Sequence, residues 1–75
     1  MKDVWKPRRV FICFPGINER VWRVLWQGET QSFNSEGRAV EFALECAASG
    51  GGTRVVEIMQ ETASGGWRHL NLPGR

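Results

Sequence analysis

Apolar and polar residues alternate in short runs over most of this chain and fall into a helical period only once. That stretch is Ser35 to Ser49, SEGRAVEFALECAAS. Spaced at about 100° per residue, Ala39, Val40, Phe42, Ala43, Cys46 and Ala47 form one broad stripe, with Leu44 at its edge. Arg38, Glu41, Glu45 and Ser49 fall opposite. A stripe this wide suits a helix lying flat on a sheet. Asn34 or Ser35 is placed to cap its start, and Glu36 sits where the helix dipole favours an anion. Gly50-Gly51-Gly52 ends it, because a left-handed residue after the last turn costs glycine least.

The flanking runs read as strands. Arg8 to Phe14 places Val10, Ile12 and Phe14 on one side and Phe11 and Cys13 on the other. Both sides are apolar, which predicts a central strand. Pro15-Gly16 predicts a turn with glycine at positive φ. Arg20 to Gln27 follows as an antiparallel strand, with Trp22, Val24 and Trp26 on one face and Val21, Arg23 and Leu25 on the other. Gly28-Glu29 predicts the next turn and Thr30 to Phe33 a short third strand, with Phe33 placed to pin the helix to the sheet. Beyond the glycines, Thr53 to Gln60 alternates again, with Val56 and Ile58 on one face and Val55, Glu57 and Met59 on the other. Thr62 to Gly66 reads as a hairpin loop and Trp67 to Leu72 as a fifth strand or extended edge.

The order is therefore β-β-β-α-β-β. The expected fold is a single α+β domain over residues 1–75, with one helix packed on one face of a mostly antiparallel four- to five-stranded sheet. Residues 1–7 form a frayed lead, whose Trp5 either packs back or marks a sticky arm, and residues 73–75 a tail. With 75 residues, a single core is only marginally sufficient, and a partner would help.

One helix covers one face. If it takes the Trp22 face, then Phe11, Cys13, Val21, Leu25, Val55 and Met59 are left on the other. A contiguous apolar patch of this kind marks an interface, unless strand twist and the termini cover it. The expectation is a homodimer, or docking onto another protein, with Phe11, Val21, Leu25 and Met59 supplying the apolar contact and Arg23 at its rim.

Net charge is +2, too small to imply a partner. Residues 1–33 carry six basic against three acidic side chains, and residues 34–61 carry two against five, so the helical half is acidic and the first strands basic. Ordinary solvated charge accounts for this. No apolar run approaches the ~20 residues of a membrane span, and the start does not resemble a signal peptide. The expectation is a soluble, cytoplasmic protein whose two cysteines stay reduced.

Candidate chemistry is sparse. His69 is the only histidine and lies on a predicted edge strand, while Cys13 and Cys46 fall on predicted buried faces, where a thiol is inert. These three residues do not have zinc-ligand spacing, and the glutamates read as a solvated helix face. The glycine run follows the helix instead of opening it, so it is no phosphate cradle. No catalytic residue, metal, cofactor or small-molecule ligand is indicated. The sharper alternative is nucleic acid. Arginines on or beside strands are interleaved with four tryptophans, and Arg20, Arg23, Trp67, Arg68 and His69 are the candidates. No established nucleic-acid-binding signature accompanies them.

Trp22-Arg23-Val24, Phe33, the alanines 39, 43 and 47, Val55-Val56-Glu57-Ile58 and Gly66-Trp67 are similar to a family of small bacterial proteins of unknown function. The resemblance covers roughly residues 20–70. It implies a bacterial or phage origin and a compact α+β fold, with no active site to transfer. The chain departs from that pattern in its long first strand and in Gly50–Gly52. A strand ending at Phe14-Pro15-Gly16, with later strands feeding an alanine-rich helix, also resembles the Hic-type antitoxin fold. That resemblance implies a protein that works by covering a toxin, with the acidic helix facing a basic partner and without the usual DNA-binding extension.

Overall fold

The computed structural model describes residues 8–70. The readings made for residues 1–7, Trp5 included, and for residues 71–75 lie outside that range. Six elements follow in order: β1 (Arg8–Cys13), β2 (Trp22–Trp26), β3 (Glu29–Phe33), α1 (Glu36–Ser49), β4 (Val56–Glu61) and β5 (Trp67–His69). They form one five-stranded sheet in the order β3-β2-β1-β4-β5, with the long first strand in the middle.

Three pairings are antiparallel, but β1 and β4 run parallel, so the sheet is mixed. Helix length explains this. Two hairpins leave β3 pointing the same way as β1. The 14 residues of α1 then rise roughly 20 Å, about one strand length, and return the chain to the end where β1 begins. A strand laid down from there beside β1 is parallel to it, and a crossover of a dozen or more residues is what parallel neighbours require.

Ser35 caps the helix in extended conformation, its Oγ accepting the Arg38 N–H. At the other end the Gly52 N–H donates to Ala47 O at 2.7 Å and the Gly51 N–H to Ala48 O at 3.2 Å. This paired closure turns the chain with positive φ at Gly51 (118°) and Gly52 (98°). The predicted glycine stop is therefore correct.

Two turns differ from expectation. The β2–β3 hairpin turns at Gln27 (φ 51°) and Gly28 (φ 83°), one residue earlier than Gly28-Glu29. Two central residues with positive φ give a turn whose twist matches the strands, and Glu29 is freed to pair with Trp26. After β1, the Glu19 N–H donates to Gly16 O, and Asn18 (φ 66°), not Gly16, takes the positive φ. Asparagine tolerates that region because its short polar side chain bonds locally. The fourth strand also starts later than Thr53. Val55 and Val56 N–H groups both donate to Gly52 O, so Val55 belongs to a turn and drops out of the apolar sheet face.

The core lies between α1 and the Trp22 face of the sheet, a choice that the sequence left open. Val10, Ile12, Val24, Val56 and Ile58 meet Ala39, Ala43, Cys46 and Ala47, with Trp22, Trp26 and Phe33 at the margins. Phe33 packs on Phe42 with ring centroids 5.2 Å apart, which ties β3 to the helix. The small alanines let helix and sheet approach closely. That closeness continues to Gly50, where an added Cβ would lie 2.9 Å from Val56 Cγ2 and 3.0 Å from the Trp26 ring. Gly50→Ala is expected to cost about 1–3 kcal/mol by overpacking. Gly37→Ala, in the first turn with nothing within 4 Å of the new methyl, is expected to gain up to about 1 kcal/mol. Urea unfolding of both variants checks the pair.

Candidate functional site

Register assembles the open face. Phe11 pairs with Leu25 across β1 and β2, Leu25 with Thr30, Phe11 with Met59, and Met59 with His69. Paired residues share a side, so Thr30–Leu25–Phe11–Met59–His69 is one row across all five strands. Its centre is apolar. Leu25 is 38% exposed, and Trp67 (47% exposed) sets its ring edge against Phe11 with centroids 5.5 Å apart. No described element packs over this row.

Charged residues border it in matched pairs. Arg9 Nε donates to Glu57 Oε1 at 2.9 Å, and His69 Nε2 lies 3.8 Å from the other oxygen of Glu57. On the far side Arg23 donates to Glu19 at 3.1 Å, which holds the Glu19 carboxyl below the usual carboxylate range. The two exposed pairs add little stability. They do leave the face nearly neutral, because each arginine already has a carboxylate.

Of the apolar candidates, Phe11, Leu25 and Met59 come together in this row, and Arg23 stands beside it opposite Cys13. Val21 precedes β2 and takes no place in the ladder. The nucleic-acid candidates are divided. Alternation along β5 turns Trp67 and His69 to the open face but Arg68 to the helix side, opposite Gln60. Arg20 lies in the β1–β2 connection, and Arg23 is paired. These five do not make one basic surface.

A second feature escaped the sequence reading. The helix packs on β1, β2, β3 and β4 but not on β5, so β5 overhangs. Under the helix start lies a cleft of about 240 Å³, lined by Phe14, Trp22, Glu36, Gln60, Glu61 and Arg68 among others. Phe14 and Trp22 meet edge to face at 4.9 Å. Gln60 is buried, only 5% exposed, at a position where Val56 and Ile58 lead the eye to expect another apolar residue. That break in the alternation was its signal. Its Nε2 donates to Glu36 Oε2 at 2.6 Å. Its Oε1 is buried without a partner among the described residues. A carboxylate only accepts, so the amide nitrogen must face Glu36 and the oxygen must turn away. An orphaned buried acceptor costs about 1–3 kcal/mol. Glu61 Oε1 accepts the Phe14 N–H at 3.0 Å.

Both cysteines are free thiols. Burial, then the nearby Glu61, pushes the Cys13 thiol up, against a smaller opposing effect of Arg23. Burial, then Glu45, raises Cys46. Among the described residues, no group of three or more His, Cys, Asp and Glu comes together as a metal site, and no helix is long and apolar enough to cross a membrane. Because the folded chain holds both thiols protonated to higher pH than the unfolded chain, their contribution to stability is complete below the free-thiol range. It is lost as pH rises through the folded values. Unfolding midpoints are expected to fall from about pH 8 upward, and less so in a Cys13→Ser/Cys46→Ala double variant. Alkylation at pH 7.5 is expected to be at least about tenfold slower in the native than in the unfolded chain. Compared with protein-family models, curated proteins and solved structures, the chain matches none.

Proposed function

We propose that this protein is a non-enzymatic, cytoplasmic interaction module that pairs with a second copy of itself through the open sheet face. The row Leu25–Phe11–Met59 carries the reading. It is apolar and continuous over the three central strands, and register holds it rigid before any partner arrives. A preformed apolar surface loses little conformational entropy on docking. The bordering charges favour a like partner. Arg9 with Glu57 and Arg23 with Glu19 present both signs, so a two-fold axis through the row can set each arginine near the other copy's carboxylates. A phosphate backbone would have to displace those carboxylates. The resemblance to antitoxins that act by covering another protein points toward protein contact as well.

Sedimentation equilibrium on the wild type and on Leu25→Asp tests the reading. The wild type is expected to show a concentration-dependent dimer. Leu25→Asp, at an already exposed position, is expected to weaken dimerisation about tenfold or more while leaving the urea midpoint nearly unchanged. A wild type that stays monomeric at high concentration removes the homodimer. Loss of folding in the variant would mean that the row is core.

A further inference from the structure

We propose that Ile17, in the turn between β1 and β2, is the anchor by which each copy holds the other, filling the apolar depression beside the other copy's β2–β3 hairpin. The proposal rests on the dimer reading and adds the contact that sets the direction of pairing.

Ile17 is 92% exposed, more than any other large apolar side chain among the described residues. The turn that carries it is braced. The Glu19 N–H donates to Gly16 O at 3.0 Å, and the Gly16 N–H donates back to Glu19 Oε1 at 3.3 Å. Arg23 Nη1 donates to the same carboxylate oxygen at 3.1 Å. Arg23 shares the open side of β2 with Leu25, so this bond fastens the turn to the border of the open face. At the corner Asn18 holds φ 66°, which is uncommon outside glycine. Isoleucine is stiff at χ1, and on a braced turn it loses little further freedom when it enters a pocket.

The receiving site lies at the other end of the same face. Between the start of β1 and the β2–β3 hairpin is a depression of about 290 Å³, with Arg9, Phe11, Leu25, Gly28 and Glu29 among its lining residues. The β1–β2 connection follows the end of β1, and the hairpin follows the end of β2. Because β1 and β2 are antiparallel, the two loops stand at opposite ends of one strand pair. A two-fold axis along the row reverses the strands of the second copy and keeps β1 over β1. That operation carries the Ile17 turn of each copy over the hairpin end of the other. The charges agree with it. The turn runs on into Glu19 and Arg20, and the depression is bordered by Arg9 and Glu29. In this arrangement Glu19 faces the other copy's Arg9, and Arg20 faces the other copy's Glu29. An axis parallel to the strands would instead bring the two turns to the same end, with like charges side by side.

Sedimentation equilibrium of the full chain tests this, together with isotope-filtered NOE spectra of a dimer mixed from labelled and unlabelled copies. Cross-peaks between copies are expected from the Ile17 methyls to the Phe11 ring and the Leu25 methyls. Ile17→Ser is expected to weaken dimerisation about tenfold. Its urea midpoint is expected to match the wild type at dilutions where both are monomeric. Arg20→Glu and Glu29→Arg are each expected to weaken the dimer several-fold. The double variant re-forms the pair in reverse and is expected to recover most of the loss. A wild type that stays monomeric overturns the proposal together with the reading beneath it. A dimer that Leu25→Asp disrupts and Ile17→Ser leaves intact overturns the anchor alone. So do cross-peaks from Ile17 to the other copy's Ile17, contacts of Phe11 and Leu25 with a residue of their own copy outside residues 8–70, or a double variant no tighter than the singles.

Discussion

One helix of 14 residues has to serve a sheet of five strands, and it reaches only one face and only four of them. The rest of the molecule follows from this shortage. On the covered side the gap is narrow. Ala39, Ala43 and Ala47 bring the helix backbone close to Val10, Ile12, Val24, Val56 and Ile58, and Gly50 extends that closeness past the last turn against Trp26. Small residues on the helix and β-branched ones on the strands fill the same space that two larger layers would fill elsewhere. In so small a domain this arrangement buries little, which is why each buried position counts.

The same shortage produces both candidate surfaces. The sheet's far side keeps an apolar row because β1, flanked on both edges by other strands, carries apolar residues on both faces. The overhang of β5 leaves Arg68 beside the helix start without helix above it, and the cleft is the space between them. The two surfaces differ in kind. The row is flat, nearly neutral and made by cross-strand register. The cleft mixes aromatic with polar and charged residues, lies at strand ends and is made by the point where the chain reverses its direction of travel across the sheet.

Much of this was legible in the sequence, and the part that was not has a common cause. The helix, a cap at Asn34 or Ser35, the glycine stop and the two faces of each strand follow from patterns within a single segment, but which face meets the helix does not. Turn positions were legible only approximately. Asn18 takes positive φ where Gly16 was the obvious choice, and Gln27 takes it together with Gly28, because tertiary register, not local preference, selects which residues sit at the corner. Val55 fits a strand by composition, yet hydrogen bonds back to Gly52 hold it in a turn. The parallel β1–β4 pairing has no local signal. It depends on the helix length matching the strand length across residues nearly 50 positions apart. Gln60 and Glu36 meet only because of that pairing, so the cleft could not be assembled before the topology was known.

Gln60 also shows why a costly residue can persist in a core this small. An apolar side chain would fill the third inward position of β4 and leave no orphaned acceptor. It would also release Glu36, whose carboxylate is held against the sheet at the first turn of the helix. That carboxylate sits at the positive end of the helix dipole and is fixed from below by the Gln60 amide, so one hydrogen bond couples the helix start to the strand that the helix itself positions. An exposed glutamate with free rotamers could still meet the dipole but could not line a cleft with defined geometry. The unpaired Oε1 is the consequence of spending the amide nitrogen on Glu36.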